Sequence, residues 1–230
     1  MAEPYLDCPP SFRRGTLEPD PARGLIARVE SGSTPSTGHE EYWDGDIPWL
    51  TPKDITGRSQ GLYVSRTERT ITQRGLESAG VKLLSPGTVM LTKRAPVGAV
   101  AVNAVPMATN QGFLNFTCGE LLRPLYLAYW FQANRPYLEL CANGSTYPEL
   151  YKSDLFEFEI AVPTLLEQDR VLGFLSALTL VIHLGGPLEQ SVTSHAAMLA
   201  TQEQSRRLEQ LRDAVLPALL SGKLDLLPRA

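Results

Sequence analysis

Neither a disulfide framework nor a metal-binding spacing is signalled in this sequence. Its three cysteines, Cys8, Cys118 and Cys141, are odd in number, far apart and without a CxxC pair. The three histidines, His39, His183 and His195, are scattered, and two of them lie in the C-terminal part. A lone histidine on a helix is more often structural or exposed than a ligand or catalyst. There is no P-loop, no dinucleotide-binding glycine fingerprint, no HExxH and no GxSxG; Gly222-Lys223 stands alone. No run reaches the roughly 18 apolar residues of a membrane span. The opening "MAEPYLDCPPSF" has no apolar core of secretory-leader length. A reducing cytoplasm is therefore the expected setting. These absences leave little for an enzyme to work with. They leave room for a binding protein.

What is present begins with an ordinary apolar share, 43% of 230 residues, enough to bury a core. Net charge is −4, which averaged over the chain argues against nucleic acid as a partner. Binding is local, however. Between Thr51 and Arg94 stand eight cations (Lys53, Arg58, Arg66, Arg69, Arg74, Lys82, Lys93 and Arg94) against three acids (Asp54, Glu68 and Glu77), a local excess of five. A solvated face is the plain alternative, since charges usually face water.

Along the chain, residues 1 to 22 carry five prolines and read as a loose lead-in. "DCPPSF" echoes the Asp/Asn-Pro-Pro-aromatic motif of amino-methyltransferases, but Cys8 splits the acid from the prolines and Ser11 intervenes before Phe12. "EEYWDGDIPWLTPKDI" gathers Tyr42, Trp43 and Trp49 around Asp44-Gly45, Pro48 and Pro52, which predicts no long regular structure there. Trp43 and Trp49 are expected as core anchors rather than base-stacking groups. "TITQRGLESAG" predicts a short helix, with Thr72 as N-cap, Arg74 to Ala79 as body and Gly80 as stop. "VKLLSPGTVMLTKRAPVGAVAV" reads as two strands with turns at Pro86-Gly87 and Pro96 to Gly98. "LLRPLYLAYWFQANRPYLELCA" reads as helix, opening near Pro124 and broken at Pro136. "LFEFEIAVP" alternates, placing Phe156, Phe158 and Ile160 on one strand face and Glu157 and Glu159 on the other.

Beyond Leu165 the prolines and aromatics thin out. Residues 166 to 184 predict one helix, and "GGP" at 185 to 187 offers Pro187 as the start of another. Leu188, Val192, His195 and Leu199 step by four, three, four; Leu208, Leu211, Val215 and Leu219 step by three, four, four. Polar Gln202 to Arg207 shifts the phase between them. The pattern is that of a weak coiled-coil seam or of a helix packed on its own domain.

Taken in order, "SGSTPS" (31–36), "YWDGDIPWLTPKDI" (42–55), "KRAPVGAVAV" (93–102), "ATNQGF" (108–113), "NGST" (143–146), "IAVPTLLEQ" (160–168) and "LRDAVLPALLSGKL" (211–224) resemble the specificity subunit of type I restriction-modification systems. The resemblance implies a mixed α/β (α+β) target recognition domain over residues 1–186. A long C-terminal helix over 187–230 follows as a coiled-coil-like spacer. It implies a noncatalytic DNA-sequence reader of a DNA methylation and restriction machine. The partners it implies are double-stranded DNA, a methyltransferase subunit and a translocating restriction subunit, with no membrane. No cofactor is expected on this chain; S-adenosylmethionine belongs to the methyltransferase partner.

The family's usual chain carries two recognition domains, and only one copy of each segment is found here. A half-size reader rebuilt as a homodimer is therefore expected, with an inverted-repeat target. Leu188, Val192, His195, Leu199, Leu208, Leu211 and Val215 are the expected dimer and partner seam. A helix from about Pro187 to Leu216 would be roughly 45 Å long, against ~34–36 Å for one turn of B-DNA. The alternative is a noncatalytic interaction scaffold of the same fold.

Lys and Arg neutralise phosphates or read guanine, and Asn and Gln pair with adenine. Lys93 and Arg94 precede an apolar strand, and Asn110 and Gln111 follow its partner, so both pairs are expected at one sheet edge. Segments shared by readers of many sequences do not distinguish those sequences. Phosphate contact is therefore favoured for Lys93 and Arg94, and a structural turn for "TNQG". Base readers are expected among Lys53, Arg58, Ser59, Gln60, Arg66, Arg69, Gln73 and Arg74, with no ranking among them. Ser145 and Thr146 of "NGST" are expected either at a phosphate or in a plain turn.

Overall fold

The computed structural model describes residues 12–20, 22, 24–56, 61–94, 96–142, 148–184, 206–207, 210–218 and 220. The chain divides into two compact units, one spanning Arg14–Ile160 and the other grouping Met1–Arg13 with Ala161–Ala230.

In chain order the strands and helices are β1 (Arg13–Thr16), β2 (Ile26–Ser31), β3 (Trp43–Leu50), α1 (Pro52–Ile55), β4 (Tyr63–Val64), β5 (Arg69–Ile71), α2 (Gln73–Ser78), β6 (Val89–Thr92), β7 (Val100–Asn103) and β8 (Ala108–Thr109). They continue with β9 (Phe113–Cys118), α3 (Pro124–Ala133), α4 (Arg135–Cys141), α5 (Lys152–Phe156), β10 (Glu159–Val162) and α6 (Leu165–Leu184). A five-stranded sheet has the order β2-β9-β6-β7-β4, and a three-stranded sheet the order β5-β3-β8. The class is mixed α/β, as expected.

Central strands carry the core. All four residues of β6 and the first four of β9 are buried. Such continuous burial suits a strand covered on both faces. α3 is apolar around its circumference, and Tyr126 to Phe131 are all buried, as a helix without a polar face requires. Pro124 opens α3; Pro136 sits in the first turn of α4, so the break expected there starts a second helix.

Three local expectations are corrected. The lead-in contains strand β1. The "WDGDIPWL" segment forms a strand of eight residues, because the turn pair becomes a bulge rather than an ending. Trp43 and Ile47 both face Ile71 across the ladder, and Asp44 takes φ 57. A Cβ on Gly45 would lie 2.6 Å from the Ile71 carbonyl oxygen, so the bulge needs glycine there. Finally, Leu155 and Phe156 end α5, and the strand begins only at Glu159. The Asp154 carboxylate accepts the Tyr151 N–H at 3.4 Å and starts a helical turn that overrides the alternation.

Helix α2 matches its expected caps: Thr72 Oγ1 accepts from Gly75 N–H at 3.1 Å, and Gly80 has φ 63. Helix α6 matches residues 166 to 184. Thr164 caps it, with its hydroxyl 2.8 Å from Glu167 Oε2 and its N–H donating to the same oxygen at 3.0 Å. Residues 210–218 are helical. In that segment Leu216 is buried, Val215 half-buried and Leu211 54% exposed. The boundary expected at 186/187 and the seam residues Leu188, Val192, His195, Leu199 and Leu208 lie outside the described residues.

Candidate nucleic-acid interface

Each candidate cation is best read by what already neutralises it. Lys53 Nζ lies 2.7 Å from Glu68 Oε2, and hydrogen bonding to Glu68 raises its pKa. Lys82 Nζ lies 2.9 Å from Glu30. Lys93 Nζ lies 2.7 Å from Glu149 Oε1, and Arg94 Nη1 3.4 Å from Glu149 Oε2. The hydrogen bond from Lys93, with the charges of both cations, holds the Glu149 carboxyl below its ordinary value against the opposing effect of desolvation. Only 19% of the Lys93 side chain and 20% of that of Glu149 are exposed, so this pair is a strut as well as a charge. Leu150 N–H also donates to Lys93 O at 2.9 Å, fixing residues 149–150 to the end of β6.

Because the pKa of Glu149 is depressed on folding, its stabilisation is full above the unfolded carboxylate pKa and fades as pH falls through the folded one. Glu149→Gln is accordingly expected to lower the melting temperature at pH 7 and to narrow its gap from wild type towards pH 3. A gap that stays constant across that range would contradict the strut.

The other cations of the stretch differ. Arg66 is exposed, and no ion pair holds it among the described residues. Arg74, exposed on α2, contributes the smallest share to the lowered pKa of Glu41, behind backbone hydrogen bonding and His39. Arg69 is exposed, with its guanidinium 3.6 Å from the Trp43 ring centroid and 5.6 Å from that of Trp49. Gln73 Nε2 donates to Glu77 at 2.8 Å along α2. Arg58, Ser59 and Gln60 lie outside the described residues, as do Ser145 and Thr146.

The two tryptophans are buried, the anchor role expected of them. They meet edge to face at 5.1 Å. Their indole N–H groups donate to carbonyls of the "SGSTPS" loop, Trp43 to Ser36 at 3.2 Å and Trp49 to Ser33 at 3.1 Å. Thr67 Oγ1 accepts from Trp49 N–H at 3.1 Å and donates to Arg69 O at 2.6 Å. Glu68 N–H donates to Asp54 Oδ1 at 2.8 Å. The connection leading into β5 is thus tied at successive residues.

"TNQG" forms the structural turn favoured for it. Asn110 Oδ1 accepts Gly112 N–H at 2.9 Å, and the Thr34 hydroxyl donates to Gln111 Oε1. Gly32 packs so closely on Thr109 and Asn110 that a Cβ would lie 2.2 Å from their carbonyl oxygens. Asn110 and Gln111 follow β8, which pairs with β3, and not a partner of β7, which lies between β6 and β4. Even so, Lys93 N–H donates to Gly112 O at 2.8 Å. The antiparallel β6–β9 register brings both segments together, but at the ends of two interior strands and not at the sheet edge expected for them. Glu149 and the Trp43–Arg69 stack are what reading the sequence missed. No signal in the sequence pointed to either: Glu149 lies 55 residues from Arg94, and Trp49 meets Arg69 only across the assembled β3–β5 ladder.

Other chemistry finds little support here. Burial pushes the Cys118 thiol up to about 12, so it stays protonated at neutral pH. Among the described residues no His, Cys, Asp and Glu cluster is placed to hold a metal, and no helix is long and apolar enough to cross a membrane.

Comparison with known proteins identifies the family. The model of the type I restriction modification DNA specificity domain matches residues 24–192, and the chain belongs to that family. It is similar to the MjaIX specificity subunit of Methanocaldococcus jannaschii, 43% identical over 153 residues, covering 66% of this chain and 35% of that one. An Escherichia coli type I restriction enzyme specificity subunit is 29% identical over 178 residues, covering 74% and 43%. The fold is like that of the HsdS subunit from Thermoanaerobacter tengcongensis, with TM-score 0.58 and 22% identity over 95% of this chain and 47% of that chain. The chain thus spans less than half the length of these relatives.

Proposed function

We propose that this chain is a noncatalytic reader of one half of a bipartite DNA target and that it docks a methyltransferase subunit, which supplies S-adenosylmethionine and the adenine chemistry. A translocating restriction subunit completes the machine. Two copies, joined through their C-terminal helices, rebuild the two-headed reader and select an inverted repeat with a nonspecific gap. Leu211, exposed on its helix while Leu216 is buried, supports a seam left open for a second helix. The observation that carries the DNA reading is the sorting of cations. Lys53, Lys82, Lys93 and Arg94 are matched by carboxylates, whereas Arg66 and Arg69 stand exposed without one among the described residues.

Filter binding of the full chain to random-sequence duplex at low salt tests this reading. Retention is expected; no retention leaves a scaffold of the same fold. In the same assay Lys93→Ala with Arg94→Ala measures the phosphate role of that pair. Glu149 already compensates both, so the expected result is a lower melting temperature with a salt slope changed by less than one. A fall of about one per lost contact would instead assign them to phosphates.

A further inference from the structure

We infer that Arg69 is the preorganised guanine-reading residue of this domain, with Trp43 as its positioning platform; the inference rests on the DNA-reading proposal. A guanidinium stacked on an indole is covered on one face only. Its N–H donors lie in its own plane, so stacking at 3.6 Å from the Trp43 centroid leaves the donor fork open at the edge. That fork matches guanine O6 and N7 in the major groove.

The platform does not move freely. Trp43 is buried, hydrogen-bonded to Ser36 O at 3.2 Å and braced edge-on by Trp49. The backbone of Arg69 is held as well, by Thr67 Oγ1 at 2.6 Å from its carbonyl oxygen and by pairing with Trp49 across the ladder. β5 is the edge strand of its three-stranded sheet, so nothing in that sheet lies beyond it. No carboxylate pairs with Arg69 among the described residues. It therefore reaches a ligand with its charge uncompensated and its side chain already ordered, the combination that direct readout rewards. Arg66, three residues earlier and without such a platform, suits phosphate contact instead.

The test selects bound duplexes from a randomised pool with the full chain, with Arg69→Lys and with Arg69→Gln. Each protein is then titrated against the enriched duplex and against copies with single G·C pairs changed to A·T. The wild type is expected to enrich a site with a required G·C pair. Arg69→Lys, which keeps the charge but lacks the fork, is expected to lose preference at that pair by on the order of 10- to 100-fold. Its affinity for unselected duplex at low salt should change less than about threefold. Arg69→Gln should lose the same preference while melting near the wild-type temperature.

Enrichment of the unchanged site by both variants overturns the inference and leaves the DNA reading intact. Equal weakening towards all sequences also overturns it, assigning Arg69 to a phosphate. Melting far below wild type by both variants overturns it in favour of a role in the fold. No enrichment by the wild type sinks the DNA-reading proposal itself.

Discussion

Trp49→Ala is expected to destabilise the Arg14–Ile160 unit by about 3–5 kcal/mol, the usual cost of removing a buried large aromatic. Small domains hold only about 5–15 kcal/mol in total, so the variant should sit near its unfolding threshold. Trp49 joins four parts. It pairs with Arg69 on β5, braces Trp43, donates to Ser33 O and takes its own backbone support from Thr67. Truncation empties that space and leaves the Ser33 carbonyl without its indole donor. Trp49→Phe keeps most of the ring and loses mainly the N–H bond, so it should cost about 1 kcal/mol plus a smaller packing loss. Urea unfolding, with the denaturant slope checked for constancy, reads both values. A Trp49→Ala cost below about 1 kcal/mol would show that the loop and the two strands are held by something else.

Affinity for duplex DNA is expected to fall on the order of a hundredfold when salt rises from 50 to 200 mM. The formal charge of the chain is −4, so the whole molecule does not attract DNA; a few exposed arginines must. With Arg69 given to a base edge, Arg66 and Arg74 on each head of the proposed pair suggest about four phosphate-range contacts, which predicts a log–log slope of about −3.6. The internal pairs Lys53–Glu68, Lys82–Glu30 and Lys93–Glu149 release no counterions and should not steepen it. Filter binding across a salt series measures the slope. A value shallower than about −2 would mean that these arginines do not meet the backbone.

Much of the local structure was legible because its causes are local. Thr72 and Gly80 bracket α2, the Pro-Val-Gly turn joins β6 to β7, and the all-apolar α3 announces its own burial. Asn110 writes its turn within two residues. Long-range facts were not legible. The count of eight cations against three acids between Thr51 and Arg94 took no account of Glu30 and Glu149, which lie outside that window in sequence and against it in space. Arg94 and Glu149 are 55 residues apart, and no periodicity links them. The bulge at Asp44-Gly45 misled for a related reason. A turn-forming pair inside a strand is tolerated only because β5 supplies a partner on the far side. The sorting of cations into carboxylate-paired ones and exposed arginines, on which the candidate site depends, was therefore available only once the sheet was assembled.

Sequencing of DNA methylation in the source cell, with this gene present and deleted, bears most directly on the central claim. The proposed pair of identical heads predicts gene-dependent adenine methylation at an inverted repeat with a gap of fixed length. Methylation unaltered by the deletion, or confined to a bipartite site with two unrelated halves, would contradict it.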